Sequence, residues 1–205
     1  MLITFEGSDG AGKSTQVALL AEHLEDRGVS CLKLREPGGT RVGEQIRALL
    51  IDPDLTLDPL TELMLFSAAR AELVSNVITP ALALGQVVIL DRFIHSTIAY
   101  QGYGRALGHD VAAEACRLAT SGLEPDLTVL LDISEQERTA RIGISGRDRI
   151  ESSGIEFYAR VREAYLRLAS TDPDRFLVLD ATSSPRAIAA AVSARVDELR
   201  DATTR

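Results

Sequence analysis

Short apolar runs alternate with longer segments of helical period along the chain. Five of the runs are rich in Val, Ile and Leu, and they cover about residues 2 to 6, 29 to 34, 87 to 91, 127 to 132 and 176 to 180. Continuous apolar runs of this length are typical of parallel strands that are buried on both faces. The pattern therefore predicts an α/β fold, with a five-stranded parallel sheet and helices on both faces.

Helical patterns fill the intervals between the predicted strands. Gly28 ends the first helix, and the pair Asp58-Pro59 begins the third. Pro80 lies inside that third helix and predicts a kink or break near Thr79. The predicted helices cover 13 to 27, 41 to 51, 58 to 84, 92 to 103, 110 to 121, 134 to 143, 153 to 170 and 185 to 200. Without a linker or an internal repeat, residues 1 to 205 are expected to form a single domain.

Composition and charge exclude some classes of partner. The chain is 45% hydrophobic and 25% charged, as in soluble globular proteins, and its formal net charge is −8. A nucleic-acid partner would require a dominant basic face, so none is expected. The N-terminus has neither a basic start nor a long apolar segment. We therefore expect a cytoplasmic protein with no membrane partner.

The stretch GSDGAGKST has the pattern of a phosphate-binding loop. Gly7, Gly12, Lys13 and Ser14 satisfy G-x-x-x-x-G-K-[ST], between a predicted strand and a predicted helix. Glycines let the backbone N–H groups turn around a phosphate, and the lysine reaches the β and γ phosphates of ATP. The predicted ATP-binding residues are Gly7, Ser8, Asp9, Gly10, Ala11, Gly12, Lys13, Ser14 and Thr15.

A magnesium site is expected beside this loop, because the Ser14 hydroxyl can ligate the ion that accompanies ATP. Three predicted strands end in an aspartate that could assist: Asp91, Asp132 and Asp180. Asp91 is preferred, since Arg92 follows it and places a guanidinium at the same strand end. The alternative interpretation of Asp91 and Arg92 is a surface ion pair.

The segment SGRDRIE, residues 145 to 151, follows Arg141 closely and contains Arg147 and Arg149. Arginines on a mobile loop can close over a transferring phosphoryl group and stabilise its charge. We interpret residues from about 143 to 152 as a short lid. A solvated, charged turn is the alternative.

Two segments in the middle of the chain could bind a heterocyclic base. Phe66 and Arg70 are four residues apart and share a helix face, so that an aromatic ring lies beside a forked donor. A core phenylalanine with a surface arginine would give the same spacing. The second segment, HSTIAYQGYGR at 95 to 105, is rich in hydroxyl and amide groups.

Taken together, these segments resemble the bacterial thymidylate kinase family. The resemblance rests on FEGSDGAGKST (5 to 15), REPGGT (35 to 40), LFSAAR (65 to 70), DRFIHSTIAYQGYGR (91 to 105), PDLTVLLD (125 to 132) and DRIE (148 to 151). The blocks follow the family's order over nearly the whole chain. REPGGT together with DRF and STIAYQG is more specific than the phosphate loop alone.

The resemblance implies a P-loop kinase fold and transfer of the ATP γ-phosphate to dTMP with Mg²⁺, by a cytosolic homodimer. It also implies that Arg92 grips the acceptor phosphate, that Phe66 stacks on thymine and that Arg70 bonds its edge. Tyr100 would crowd the sugar 2′ position. The full set of implied substrate-binding residues is Asp9, Arg35, Arg47, Phe66, Arg70, Arg92, Thr97, Tyr100 and Gln101.

The phosphate loop separates subtypes of this family, because Ser8, Asp9 and Ala11 are not basic. The resemblance is to members that supply the catalytic arginine from the lid. The expected catalytic residues are thus Lys13, Arg92, Arg149 and Arg147. The residues alone do not decide which of the lid arginines and Arg141 acts on the transferring group.

Two alternatives to dTMP kinase activity are consistent with the residues. One is a kinase for another nucleoside or nucleotide on the same scaffold. The other is a P-loop regulatory NTPase, although the chain has no N-K-x-D motif for guanine. His23, His95 and His109 follow no catalytic pattern and are interpreted as structural or surface residues.

Overall fold

The computed structural model describes residues 1–142, 149–150 and 153–203. Its strands, in chain order, are β1 (Leu2–Glu6), β2 (Cys31–Arg35), β3 (Val87–Asp91), β4 (Leu127–Asp132) and β5 (Phe176–Asp180). They form one parallel sheet in the order β2-β3-β1-β4-β5. Within these residues the predicted five-stranded parallel sheet is confirmed, and the strand bounds differ from prediction by at most two residues.

The helices are α1 (Lys13–Glu25), α2 (Arg41–Ile51), α3 (Pro59–Leu73), α4 (Thr79–Ala83), α5 (Ile94–Thr97), α6 (His109–Thr120), α7 (Glu135–Ile142), α8 (Ile155–Thr171) and α9 (Pro185–Thr203). Two π-helical segments, Val74–Ile78 and Ile98–Gly104, continue α3 and α5. The N-terminus of α2 is capped by the Thr40 hydroxyl, and that of α3 by the Asp58 carboxylate.

The helices cover both faces of the sheet, as predicted. On one face Ile3, Phe5 and Val129 pack with α1 and α9. On the other face Leu2 and Leu90 pack against the end of α3 and the segment that follows it. Alternate residues of a strand point to opposite faces, so each strand contributes to both cores. Among the described residues, no helix has the length and apolar character needed to cross a membrane.

The predicted break near Thr79 takes a different form. The chain remains helical through Pro80, but the five residues before Thr79, Val74–Ile78, form a π-helical turn. Proline lacks an N–H and its ring collides with the carbonyl four residues earlier in a regular α-helix. The wider π turn lies where that collision would occur, so it accommodates Pro80 without ending the helix.

The predicted helix from 92 to 103 begins later than expected. Arg92 has a left-handed backbone, with φ +73°, and Phe93 is the residue before α5. From Ile98 to Gly104 the chain is π-helical. Arg92 therefore follows the end of β3 without starting a helix. Backbone strain of this kind is frequent at functional positions.

His95 is a structural residue, as interpreted from the sequence. Its ring packs edge-on to Phe176, with 4.8 Å between centroids, and Nδ1 lies 3.3 Å from the Thr128 hydroxyl. Burial, with the nearby positive charges of Arg70 and Arg175, lowers the pKa of His95 from 6.5 to about 3. Between these two pH values the imidazole is neutral in the folded protein but protonated in an unfolded chain.

Replacing His95 should alter how stability depends on pH. Between pH 6.5 and 3 the unfolded chain binds a proton at His95 that the folded chain does not, so acidification destabilises the wild type by up to about 1.4 kcal/mol per pH unit through this residue. We expect the free energy of unfolding of His95→Gln, relative to wild type, to improve steadily from pH 7 to pH 4.5. Urea denaturation measures both profiles, and parallel profiles would contradict the prediction.

Candidate active site

The loop between β1 and α1 forms a phosphate cradle. Gly7 and Gly12 have φ values of +130° and +94°, a region of backbone space that glycine adopts readily. A Cβ on Gly7 would lie 2.4 Å from the backbone oxygen of Leu131, so the loop passes β4 too closely for any side chain. Because α1 begins at Lys13, its N-terminal N–H groups face the loop, as an anion requires.

Lys13 lies inside this cradle. Its Nζ donates to the carbonyl oxygens of Gly7 and Ser8, at 3.0 Å each. Burial and the positive charge of Arg92 lower the pKa of Lys13 to about 8, although Asp9 and other acids act in the opposite direction. A phosphate in the loop would favour the charged ammonium, because an opposite charge at short range stabilises it.

Ser14 and Asp91 provide oxygen atoms beside the cradle. The Ser14 hydroxyl donates to Asp91 Oδ2 at 2.5 Å. Asp132, by contrast, accepts two hydrogen bonds from Arg162, at 2.7 and 2.8 Å, and Asp180 caps the turn after its own strand. Of the three strand-end aspartates, only Asp91 lies next to Ser14.

The donor set fits Mg²⁺. No cluster of three or more His, Cys, Asp or Glu side chains suited to a metal occurs in residues 1–142, 149–150 and 153–203. A hydroxyl and a single carboxylate are nevertheless typical protein ligands of Mg²⁺, which obtains its other ligands from phosphates and water. Both Ser14 and Asp91 line the cavity that surrounds the phosphate loop.

Two cavities meet at the carboxyl ends of the strands. The first surrounds the phosphate loop, and we call it the outer cavity. It is lined by Asp9, Gly10, Gly12, Lys13, Ser14, Thr15, Arg35, Glu36, Arg47, Asp91, Arg92 and Arg141. The second, which we call the inner cavity, is lined by Asp9, Glu36, Pro37, Arg47, Ile51, Phe66, Arg70, Arg92, Ser96, Thr97, Tyr100, Gln101 and Ile150. Four lining residues belong to both cavities, so the cavities adjoin.

Arg92 lies at the junction of the two cavities. Its Nη2 donates to Asp9 Oδ1 at 2.6 Å and its Nη1 to the Ser96 hydroxyl at 3.0 Å, while the guanidinium stacks 5.0 Å above the Tyr100 ring. Burial opposes the charge of Asp9, but Arg92 and Lys13 outweigh it and lower the pKa of Asp9 to about 2. Asp9 and Arg92 are therefore a charged pair at the boundary between a phosphate loop and a cavity with aromatic walls.

Comparison with known proteins is consistent with this geometry. A sequence model of the family described as thymidylate kinase matches residues 5–192. The chain belongs to the thymidylate kinase family. It is 49% identical, over 198 residues, to a thymidylate kinase of Chlorobaculum parvum, with 92% of this chain and 91% of the relative covered. It is 47% identical, over 196 residues, to one from Caldanaerobacter subterraneus subsp. tengcongensis, with 96% and 94% covered.

A solved structure supports the fold. The crystal structure of thymidylate kinase from Ehrlichia chaffeensis matches with a TM-score of 0.80 and 35% sequence identity, over 96% of this chain and 98% of that chain. The predicted P-loop kinase fold and the predicted membership of this family are thus confirmed. Members of the family are phosphotransferases, as the sequence predicted for this chain.

The structure brings most of the predicted substrate residues together. All of them except Arg35 line the inner cavity, and Phe66 is half-buried in its wall. Arg35 instead lines the outer cavity and forms an exposed ion pair with Glu44, at 3.3 Å.

Three residues of the predicted ATP-binding loop, Gly7, Ser8 and Ala11, do not line the outer cavity. The carbonyls of Gly7 and Ser8 instead hold Lys13. The binding roles of these residues stay predictions.

The predicted lid lies mostly outside the described residues, and Arg147 with it. Arg149 is described, and its Nη1 donates to Glu62 Oε2 at 2.6 Å while its Nε donates to the carbonyl of Leu50 at 3.0 Å. Arg149 therefore lies on the Glu62 side of the inner cavity. Arg141 lines the outer cavity and donates to the carbonyl of Gly10 at 3.1 Å.

Three buried glutamates near the site were missed by the sequence analysis. Glu6, at the end of β1, accepts hydrogen bonds from the Phe93 N–H and the Ser96 hydroxyl, and its burial raises its pKa. Glu36 pairs with Arg70 at 2.8 Å, and burial raises its pKa as well. Glu62 lies behind the inner cavity. The sequence could have indicated Glu62, because it lies four residues before Phe66 and therefore shares a helix face with it.

Proposed function

We propose that this chain transfers the γ-phosphate of ATP to dTMP, giving dTDP and ADP. The observation that supports this most directly is the junction of the two cavities at Arg92, which places a guanidinium between the phosphate loop and an aromatic-walled cavity. ATP phosphates would occupy the loop and dTMP the inner cavity. The acceptor phosphate would then meet Arg92 next to the outer cavity.

The reaction needs positioning and charge neutralisation more than a general base. The second pKa of a phosphate monoester is about 6, so near neutral pH the acceptor is already a nucleophilic anion. An oxygen of the dTMP phosphate attacks the γ-phosphorus, the bond from that phosphorus to the β-γ bridging oxygen breaks, and ADP leaves. The protein must hold two mutually repelling anions in line. Lys13 and Arg92 supply positive charge to the donor and to the acceptor, respectively.

Mg²⁺ would be held by Ser14 and Asp91, with ATP phosphates and water completing its ligands. When bound, the ion supplies neutralisation of the β- and γ-phosphate charge. Asp9 is fully ionised at neutral pH because Arg92 and Lys13 stabilise its charge. Its carboxylate is therefore an acceptor for a sugar hydroxyl, and it also orients Arg92 through their 2.6 Å contact.

A homodimer is proposed as the functional assembly. The outer surfaces of α2 and α3, which pack against each other, carry four large apolar side chains that are 44% to 51% exposed: Val42, Leu49, Leu60 and Met64. Exposed apolar side chains gathered on adjacent helices are typical of subunit interfaces.

Light scattering after size exclusion should give twice the 22.1 kDa chain mass for the wild type, and Met64→Lys should shift the chain toward monomer, because a charge at an apolar interface loses its hydration. The control Leu84→Lys changes an 80% exposed side chain just after the end of α4 and should remain dimeric. A monomeric wild type would contradict the proposal.

The function is tested by an ADP-release assay with Mg-ATP, with and without dTMP. We expect release that depends on dTMP and that falls by at least about 10³-fold in Lys13→Ala, because the ammonium on the transferring phosphate is lost. The matched control is Lys33→Ala, since Lys33 is half-exposed on β2 and is the other lysine of the chain.

Other outcomes of this assay would favour one of the two alternative functions. Release with UMP, dCMP, AMP or thymidine in preference to dTMP would indicate a kinase for a different acceptor. Slow ATP or GTP hydrolysis at a rate that no acceptor changes would indicate a regulatory NTPase. Some turnover of dUMP is compatible with the proposal, since one methyl group in an apolar pocket contributes about 1 to 3 kcal/mol of discrimination.

A lid arginine is proposed to stabilise the transferring phosphoryl group. Arg149→Ala should lower kcat by about 10³-fold or more, the effect of removing an arginine from this transition state, while the KM for dTMP changes little. This role requires Arg149 to leave Glu62 and reach the outer cavity. Arg141→Ala and Arg147→Ala, measured alongside, decide which arginine acts. If Arg149→Ala instead keeps a near-normal kcat and only raises the KM, Arg149 does not act on the transferring phosphoryl group, and its contact with Glu62 is its only role.

A further inference from the structure

Glu62 gathers three side chains at the back of the inner cavity. Its Oε1 accepts from Gln101 Nε2 at 2.7 Å and from Arg105 Nε at 3.2 Å, and its Oε2 accepts from Arg149 Nη1 at 2.6 Å. The carboxylate is only 1% exposed. Burial acts to raise the pKa of Glu62, but the hydrogen bonds from Arg105 and Gln101 and the arginine charges outweigh it and leave the pKa below its usual value.

The charge state of Glu62 determines which way the Gln101 amide points. An ionised carboxylate can only accept hydrogen bonds, so the amide nitrogen of Gln101 must face it. The carbonyl oxygen of Gln101 is then the amide atom left for a ligand of the inner cavity, whose wall contains Gln101. An amide without such a partner could present either its oxygen or its nitrogen.

Arg70 supplies a complementary donor in the same cavity. Its Nε donates to Glu36, and its Nη2 donates to the Phe93 carbonyl and the Thr97 hydroxyl. Its Nη1 contacts the Cys116 sulfur at 3.3 Å, which accounts for one of the two hydrogens on that nitrogen. The inner cavity thus offers an acceptor from Gln101 together with a donor from Arg70.

We infer that Glu62 is a positioning residue that sets base specificity by fixing the Gln101 amide with its oxygen toward the base. A pyrimidine that carries a ring N–H beside a carbonyl, as thymine and uracil do, matches this acceptor and donor. Cytosine presents a ring nitrogen lone pair and an amino group, and therefore mismatches both. The inference rests on the proposed function, because it takes dTMP as the ligand of the inner cavity.

The substitution Glu62→Gln tests the inference with three acceptors. The new amide can donate as well as accept, so it no longer forces one orientation on Gln101. We expect kcat/KM for dTMP and dUMP to fall together by about tenfold or more, mostly through KM, because a buried hydrogen bond to the ring N–H is no longer assured. Activity with dCMP should not fall, so that the dTMP-to-dCMP ratio drops at least about tenfold.

The dTMP-to-dUMP ratio separates orientation from general loosening of the cavity. Both bases carry the ring N–H, and they differ only in the methyl group, so this ratio should stay unchanged if Glu62 acts through Gln101. An unchanged dTMP-to-dCMP ratio, or an equal loss for all three acceptors, would overturn the inference. Glu198→Gln, an exposed glutamate on α9, is the matched control and should leave every ratio unchanged. A wild type that fails to use dTMP would instead overturn the proposed function.

A second measurement needs no change at Glu62. In ¹⁵N-labelled wild type, the side-chain amide of Gln101 is identified by the resonance missing from Gln101→Leu. Its protons should exchange with water far more slowly than those of the exposed Gln45, with or without dTMP, because the buried carboxylate holds the amide nitrogen. Exchange as fast as that of Gln45 would overturn the inference even if the Glu62 variant fails to fold.

Discussion

The parallel pairing of β1 with β3 is the constraint on which the site depends. Phe5 pairs with Asp91, and the Arg92 N–H donates to the Phe5 carbonyl at 2.9 Å. Because parallel strands end at the same edge of a sheet, this register places the phosphate loop after β1 beside the Asp91-Arg92 pair after β3. A shift of one residue would turn the alternating side chains to the wrong faces and separate Ser14 from Asp91.

Buried carboxylates hold this edge of the sheet together. Glu6, at the end of β1, accepts from the Phe93 N–H at 2.9 Å and from the Tyr165 hydroxyl at 3.1 Å, and so ties the sheet to α5 and α8. Glu36, in the wall of the inner cavity, holds Arg70, and Glu62, behind that wall, holds Gln101. Burying a carboxyl group costs less when it is hydrogen-bonded or paired with a cation. All three acids accept hydrogen bonds, and Glu36 and Glu62 also form ion pairs with arginines. The same contacts orient the residues that face the ligand.

The distribution of charge explains how an acidic protein can bind two anionic ligands. The net charge is −8, yet the two cavities contain Lys13 and several arginines. Asp9 forms an ion pair with Arg92 at 2.6 Å and stays ionised, so the cations of the site are partly neutralised by an acid among them. In a partly dry cavity such fixed charges act strongly on a phosphate, and they need little rearrangement when charge develops during transfer.

The sequence by itself determined the fold class, the five strands and the phosphate loop. These features depend on local patterns: apolar runs of strand length, a capping Asp58 before Pro59, and glycines at the spacing that a phosphate requires. It also identified the family, since REPGGT and STIAYQG are contiguous blocks. Phe66 and Arg70 could be paired in advance because four residues along a helix lie on one face.

Only the tertiary structure decided which distant groups meet. The contacts of Glu62 with Gln101, Arg105 and Arg149 span 39 to 87 residues, and no local pattern encodes them. The π-helical turn before Pro80 and the left-handed Arg92 also depend on how the chain packs against the sheet, so sequence periodicity placed a kink and a regular helix there instead. Propensity and spacing determine local elements, whereas burial and long-range pairing determine the charge and orientation of the side chains between them.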